Sequence, residues 1–202
     1  MHRRNLLFVV SVIVALVTVF ASAQEKKKAG EPSEEEMMKK WKEAATPGEA
    51  HKKLDDMVGS WESESQMWMA PGQPPTVSKG TSEMKWILGG RFLQQEMKGE
   101  MMGMPMNGIG LTGYDNFKKK YIGFWIDNTS TSMYTMEGAL AKDGKSITFY
   151  GRTDDPVTGE KDKKVKYVTR FIDKDKHAFE IHDLSLKAPN TKVVEVTYTR
   201  KK

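Results

Sequence analysis

The feature that most constrains the fold is a run of ten short segments with β-strand propensity that follows Gly59 and continues almost to the end of the chain. Turn residues such as Pro71-Gly72, Gly89-Gly90 and Asp143-Gly144 separate the segments at intervals of about ten residues. No long helical segment interrupts the run, which disfavours parallel crossovers. A long antiparallel meander hides its edges by closing on itself. We therefore predict an all-β fold, an antiparallel up-and-down barrel of about ten strands, with a two-sheet sandwich as the alternative.

The first 23 residues have the pattern of a secretory signal peptide. Arg3 and Arg4 precede an apolar run from Leu6 to Phe20, and Ala21-Ser22-Ala23 is a small-x-small cleavage site. The apolar run is shorter than the roughly 20 residues that a membrane-spanning helix needs. We expect cleavage after Ala23, no stable membrane anchor afterwards, and an exported protein that is periplasmic or extracellular.

The composition of the chain after cleavage excludes several classes. Removal of Arg3 and Arg4 leaves 30 Lys and Arg against 27 Asp and Glu, a net charge of +3. This mild, mixed charge does not favour a nucleic-acid partner. The chain has no cysteine, so disulfides and thiol chemistry are excluded.

The remaining chain divides into two predicted parts. Residues 24–45 are a charged linker that runs into a helix, where Ser33 and Glu36 have the spacing of a capping box. Residues 46–202 are the barrel domain. A short leading helix is predicted over 47–58, with Thr46 as its N-cap, and it ends at Gly59.

The start of the first strand resembles that of calycin barrels, the group that contains lipocalins and fatty-acid-binding proteins. In that group a short helix leads into Gly-x-Trp, and a basic residue of the last strand lies across the tryptophan face. Gly59, Trp61 and Arg200 match this arrangement. The resemblance implies that a cation–π contact closes the barrel, and such a contact contributes about 0.5–2 kcal/mol.

A more specific resemblance extends over about residues 50–200. Its motifs include Gly89-Gly90-Arg91-Phe92-Leu93, Met102-Gly103-Met104-Pro105, Trp125-Ile126-Asp127 and Asp155-Pro156-Val157-Thr158-Gly159. In this order they resemble the bacterial exported family catalogued as domain of unknown function 1579. The resemblance implies an exported barrel and carries over no catalytic residue.

A methionine-rich hairpin is predicted between the third and fourth strands. It contains Met101, Met102, Met104 and Met106. Thioether sulfur is a soft ligand suited to Cu(I), and an exported chain without cysteine has no other sulfur donor. Methionine also fills irregular gaps and forms adaptable apolar surfaces. The hairpin is thus either a packing element or apolar lip of the barrel, which is favoured, or a copper site.

The segment from Tyr121 to Asp127 predicts a strand with two largely apolar faces. Ile122, Phe124 and Ile126 share one face, and Tyr121, Trp125 and Asp127 share the other. We assign Trp125 and Asp127 to a partly polar interior and name Tyr114 and Tyr121 with them as candidate ligand contacts. The alternative is that Trp125 is ordinary core and Asp127 caps a turn. The opposite face would meet the N-terminal helix or a second copy of the chain, so a homodimer is a possible assembly.

Candidate cofactor and catalytic residues are sparse. His177 and His182 are five residues apart on one predicted strand and should point to opposite faces, so they do not form a two-histidine metal site. His182 is a weak candidate for haem. No nucleophile or acid–base pair stands in a catalytic motif. The sequence favours a module that binds a small apolar molecule and requires no cofactor over a soft-metal carrier, and an enzyme is the third and least favoured hypothesis.

Overall fold

A computed structural model describes residues 32–186 and 191–202. The predicted signal peptide lies outside the described residues. Helix α1 spans Glu34–Ala45 and helix α2 spans Glu49–Lys52, and a 3-10 turn follows at Asp55–Met57. The ten strands are β1 Gly59–Met67, β2 Thr76–Ile87, β3 Phe92–Met101, β4 Met104–Asp115, β5 Lys120–Asp127, β6 Tyr134–Leu140, β7 Ser146–Thr153, β8 Lys163–Asp173, β9 Lys176–Asp183 and β10 Lys192–Arg200.

The predicted up-and-down barrel is confirmed. Each strand pairs antiparallel with its neighbour in the chain, and β1 pairs with β10 to close the sheet. The register of closure sets Trp61 opposite Arg200 and Met67 opposite Val194. Closure satisfies the backbone groups of the first and last strands, which would otherwise form exposed edges.

Alternation along the strands defines the interior. On β1, Trp61 and Ser63 are buried while Glu62 and Glu64 are exposed. The same period of two recurs around the barrel. Because adjacent residues face opposite sides, a polar outer wall and an apolar inner wall are built from one sequence.

The N-terminal segment differs from the prediction at the leading helix. Instead of one helix over 47–58, there is one α-helical turn capped at Gly48 and then the 3-10 turn. The indole N–H of Trp61 donates to the carbonyl of Met57 at 2.8 Å, and Arg200 donates to the carbonyls of Asp56 and Val58. These carbonyls therefore bond to the barrel and not to a continuing helix.

Helix α1 begins with the predicted capping box. The backbone N–H of Ser33 donates to the carboxylate of Glu36, whose own N–H donates to the hydroxyl of Ser33. At the other end, the side-chain amide of Asn116 donates to the carbonyls of Glu43, Ala44 and Thr46. The β4–β5 turn thus fixes the residues that end α1.

Candidate functional site

One end of the barrel is closed by the turns that precede β1. Leu54 belongs to the buried core together with Trp61 and Tyr121. The hydroxyl of Tyr121 donates to the carbonyl of Ala50 at 2.8 Å, and the indole N–H of Trp86 donates to the carboxylate of Asp55 at 2.8 Å. Short connections thus cover the barrel end at which β1 begins. We call this the closed end and call the opposite end the mouth.

Above the closed end the barrel encloses a cavity of about 510 Å³. Its walls extend from His177 and Tyr198, towards the closed end, to Met101, Asp127 and Lys163 near the mouth. Pockets for small organic molecules typically have volumes of about 300–1,000 Å³. The interior is therefore large enough for such a molecule and is not filled by its own side chains.

Methionine is the most frequent residue type in the cavity wall. Nine of the 14 methionines in the chain line it: Met57, Met67, Met69, Met84, Met97, Met101, Met102, Met106 and Met136. Methionine is unbranched and polarizable, so its side chain adapts to irregular shapes. The side chains of the wall can therefore adapt their conformations to an apolar ligand.

The methionine hairpin is divided between the wall and the solvent. Met102 and Gly103 form its two-residue turn, both with positive φ, of 54° and 80°. This conformation is the common one for tight hairpins. Met101 and Met106 are half-buried on the cavity wall. Met102 also borders the cavity but is 63% exposed, and Met104 is 57% exposed and does not line it. The four sulfur atoms are thus not all in one environment.

Trp125 is held flat against the inner wall by two glycines of β4. A Cβ atom on Gly108 would lie 2.0 Å from Cζ2 of the indole, and one on Gly110 would lie 3.0 Å from Cε3. The indole N–H donates to the carboxylate of Asp127 at 2.7 Å. Because one ring face covers the glycines, the other face is presented to the cavity.

Asp127 is an ionised group at the mouth. Burial alone would raise its pKa, but hydrogen bonds from Thr129, Trp125 and the backbone N–H of Ser130 outweigh burial, and the pKa lies below its usual value. Thr129 donates both its N–H, at 2.9 Å, and its hydroxyl. The carboxylate is therefore charged at neutral pH, and its oxygens are already occupied by donors.

A second ionic cluster lies at the mouth around Lys163. Its ammonium is 2.8 Å from the carboxylate of Asp183 and 3.1 Å from that of Asp155. Bonds to these two acids raise the pKa of Lys163. Backbone N–H groups of Thr158 and Val157, with Lys163, lower the pKa of Asp155 to about 2. The lysine thereby anchors the β7–β8 loop to β9.

Two of the four candidate ligand contacts lie outside the cavity. Trp125 and Asp127 line it, but Tyr114 and Tyr121 lie at the closed end, with ring centroids 5.0 Å apart in an edge-to-face contact. Desolvation by burial raises the pKa of Tyr121, as expected for a phenol among core side chains. These tyrosines support the floor of the barrel.

The closed end also contains Gly59, Trp61 and Arg200. The guanidinium carbon of Arg200 is 4.2 Å from the Trp61 ring centroid. A Cβ atom on Gly59 would lie 2.6 Å from Nη1 of Arg200, so glycine leaves space for the guanidinium. Arg200 also donates to the carbonyls of Val58, Asp56 and Lys174. One side chain thus joins the start of β1 to the β8–β9 turn.

His177 is a buried ionisable group in the cavity wall. It is 3% exposed, stacks on Tyr198 at 4.5 Å and meets Trp61 edge-on at 4.4 Å. Within the described part of the chain, its Nε2 atom has no hydrogen-bond partner. Burial, with a smaller effect of the Arg200 charge, lowers the pKa of His177 to about 4. The imidazole is therefore neutral at pH 7.

His182, the haem candidate, faces outward. Its Nε2 atom is 3.1 Å from the carboxylate of Glu180 and its Nδ1 atom is 3.3 Å from the hydroxyl of Thr191. Across residues 32–186 and 191–202, no group of three or more His, Asp and Glu side chains converges as a metal site. In the same residues no helix is long and apolar enough to cross a membrane.

The neutrality of His177 predicts a pH dependence of stability. Unfolded histidine binds a proton near its ordinary pKa of 6.5, whereas folded His177 resists protonation down to about 4. The unfolded state therefore binds more protons in this window, and stability falls as the pH falls through it. Between pH 7 and pH 4.5, the free energy of unfolding should fall by about 2 kcal/mol more in the wild type than in His177→Phe, as measured by urea unfolding. Equal losses would place His177 in a solvated environment.

Comparison with known proteins identifies the family. Residues 46–200 match a family model described as "Protein of unknown function (DUF1579)". The chain belongs to this family. The match covers the whole barrel and begins at the turns that close it, so the DUF1579 region of this chain is a complete calycin-like barrel. Among curated proteins none matches the chain.

Solved structures show a similar fold. Rv2717c from M. tuberculosis has a TM-score of 0.55 at 14% identity, with 78% of this chain and 100% of that chain covered. The S-type phycobiliprotein lyase CPES from Guillardia theta has a TM-score of 0.47 at 11% identity, with 85% of this chain and 99% of that chain covered. At these identities the likeness to Rv2717c supports the barrel fold alone.

Sequence reasoning missed most of the cavity wall. Tyr134 lies directly opposite Trp125 in the register of β5 and β6, and both side chains line the cavity. Met67, Met97 and Met136 also line the cavity, although they are distant from one another in sequence. Strand alternation is a signal that could have grouped them, once the direction of each strand's inner face was known.

Proposed function

We propose that the protein is an exported binding protein that holds a small, mostly apolar molecule inside its barrel. The proposal rests on the cavity of about 510 Å³ with its methionine-rich wall. A large apolar pocket with a few polar groups is the usual form of a small-molecule site. No catalytic group is needed for this function.

Titration with a neutral fluorescent dye tests the proposal. Trp125→Phe retains most of the apolar bulk and removes the N–H donor to Asp127. Asp127→Asn retains the shape and removes the charge. If the guest occupies the cavity, at least one change should alter dye affinity about tenfold, or ~1.4 kcal/mol, with the melting temperature little changed.

The control for this titration is a charge removal far from the cavity. Asp143→Asn changes the exposed β6–β7 turn, where the carboxylate accepts the N–H of Lys145. It should leave dye affinity unchanged. Absence of dye binding to wild type would overturn the proposal, and a loss of stability without a change in affinity would make Trp125 and Asp127 core residues.

A soft-metal carrier is the second candidate. Five methionines from three strands and two loops line the mouth half of the cavity: Met67, Met69, Met101, Met102 and Met106. Thioether donors suit Cu(I). Replacement of Met101, Met102, Met104 and Met106 by leucine should abolish Cu(I) binding and hardly change the fold, because the two side chains are close in volume. An unchanged affinity in a competition titration would exclude the hairpin as the site.

A further inference from the structure

The cavity wall is acidic although the chain as a whole is basic. Four lining residues that are at least partly buried are charged: Asp127, Asp155, Asp183 and Lys163. Three carboxylates against one ammonium leave a net charge of −2, whereas the whole chain has +5. His177, on the cavity wall towards the closed end, adds no positive charge because its imidazole is neutral. The guest therefore enters a negative potential.

Lys163 does not offset this potential for an incoming anion. Its ammonium bonds to Asp183 at 2.8 Å and to Asp155 at 3.1 Å, and its side chain is only 11% exposed. Among the described lining residues, a ligand carboxylate would find no other lysine or arginine. A fatty-acid head group would therefore be repelled without a compensating ion pair.

One corner of the mouth has the composition that recognises an organic cation. Trp125 and Tyr134 are cross-strand neighbours on the inner wall, and Asp127 is two residues from Trp125 on the same face. The Trp125 indole lies on Gly108 and Gly110, so its free face points inward. A cation over an aromatic face is stabilised by about 0.5–2 kcal/mol, and aromatic groups of this kind bind quaternary ammonium ions.

The hydrogen bonds of Asp127 refine the choice of cation. Its oxygens already accept from the Trp125 indole and from both donors of Thr129. What the carboxylate still offers a ligand is mainly its charge. A quaternary ammonium has no N–H to donate and needs only charge and aromatic surface, so it matches this corner better than a primary amine.

We propose that the cavity binds an amphiphile whose head is a quaternary ammonium and whose body is an apolar chain. The head lies at the corner formed by Trp125, Asp127 and Tyr134, and the chain extends along the methionine wall towards His177. This inference rests on the proposed function, because it requires that the cavity accept a guest.

The test compares three probes with the same apolar chain. Dodecyltrimethylammonium and dodecanoate below their micelle concentrations, and dodecanol below its solubility limit, compete with a bound neutral dye in the full exported protein. We expect the cation to bind about tenfold more tightly than the alcohol and the carboxylate to bind most weakly. High salt should reduce the preference for the cation, since the attraction is partly electrostatic.

Two variants locate the head group. Asp127→Asn and Tyr134→Leu should each weaken the cation severalfold and leave the alcohol within about twofold, whereas Tyr134→Phe, which retains the ring, should behave as wild type. Asp143→Asn should change none of the three affinities.

Carboxylate binding equal to or tighter than cation binding would overturn the inference and leave the proposed function standing. A preference that survives Asp127→Asn and Tyr134→Leu unchanged would also overturn it. Failure of the dye and all three probes to bind would overturn both.

Discussion

Replacement of Trp61 by alanine is expected to lower the free energy of unfolding by about 3–5 kcal/mol. The side chain is fully buried, and its N–H donates to the carbonyl of Met57 at 2.8 Å. Its ring contacts the guanidinium of Arg200 and the imidazole of His177. Truncation would leave a cavity at the closed end and an unpaired carbonyl in the turn that covers it. Urea unfolding followed by far-UV circular dichroism measures the loss.

A double-mutant cycle tests whether Trp61 and Arg200 act together. Arg200→Ala should cost less than Trp61→Ala, and the double variant should cost less than the sum by about 0.5–2 kcal/mol. Trp41→Ala is the matched control, because Trp41 is 73% exposed on α1 and its loss should change stability by less than about 0.5 kcal/mol. Additive losses for Trp61 and Arg200 would show that their contact does not stabilise closure.

The second large effect is expected at Gly108. An alanine Cβ there would lie 2.0 Å from Cζ2 and 2.5 Å from Cη2 of Trp125, so the indole must leave the inner wall. We expect a stability loss of about 1–3 kcal/mol and dye binding about tenfold weaker. Denaturant unfolding and dye titration on the same samples separate the two effects.

Neighbouring glycines provide a graded control for Gly108. A Cβ on Gly110 would lie 3.0 Å from the indole, whereas one on Gly99 would lie no closer than 3.7 Å to any atom. The losses should therefore decrease in the order Gly108→Ala, Gly110→Ala, Gly99→Ala. In a Trp125→Phe background, Gly108→Ala should cost less, because the smaller ring leaves room. A cost for Gly108→Ala as small as that of Gly99→Ala would show that the indole is not held against β4.

Much of the architecture followed from local patterns. Turn residues at regular spacing and the absence of long helical segments predicted ten strands and a closed meander, and both are present. Alternation grouped Trp125 with Asp127, which both line the cavity, and set Ile122 and Ile126, which do not line it, on the other face. These inferences succeed because the face of a strand residue depends only on its parity along a short stretch of chain.

The position of a residue along the barrel axis, between the closed end and the mouth, could not be predicted in the same way. Tyr121 has the same parity as Trp125 and Asp127, yet it lies at the closed end and they lie in the cavity. The difference depends on which strand ends the N-terminal turns cover. Likewise, the helix predicted over 47–58 breaks because Trp61 and Arg200 bond to its carbonyls. Arg200 is more than 140 residues away in sequence.

The sequence by itself determined the type of barrel, which residues of a strand share a face, and the composition from which a wall could be built. The tertiary structure decided which of those residues form the cavity. The nine methionines come from strands and loops that are distant in sequence, and the Trp125–Tyr134 pair and the Lys163 cluster are formed across neighbouring strands. Their proximity results from the closure of β1 on β10 and from the register of every strand pair between them. Register is a long-range property, because hydrogen bonds between strands and the packing of the whole interior set it, and no local stretch of sequence encodes it alone.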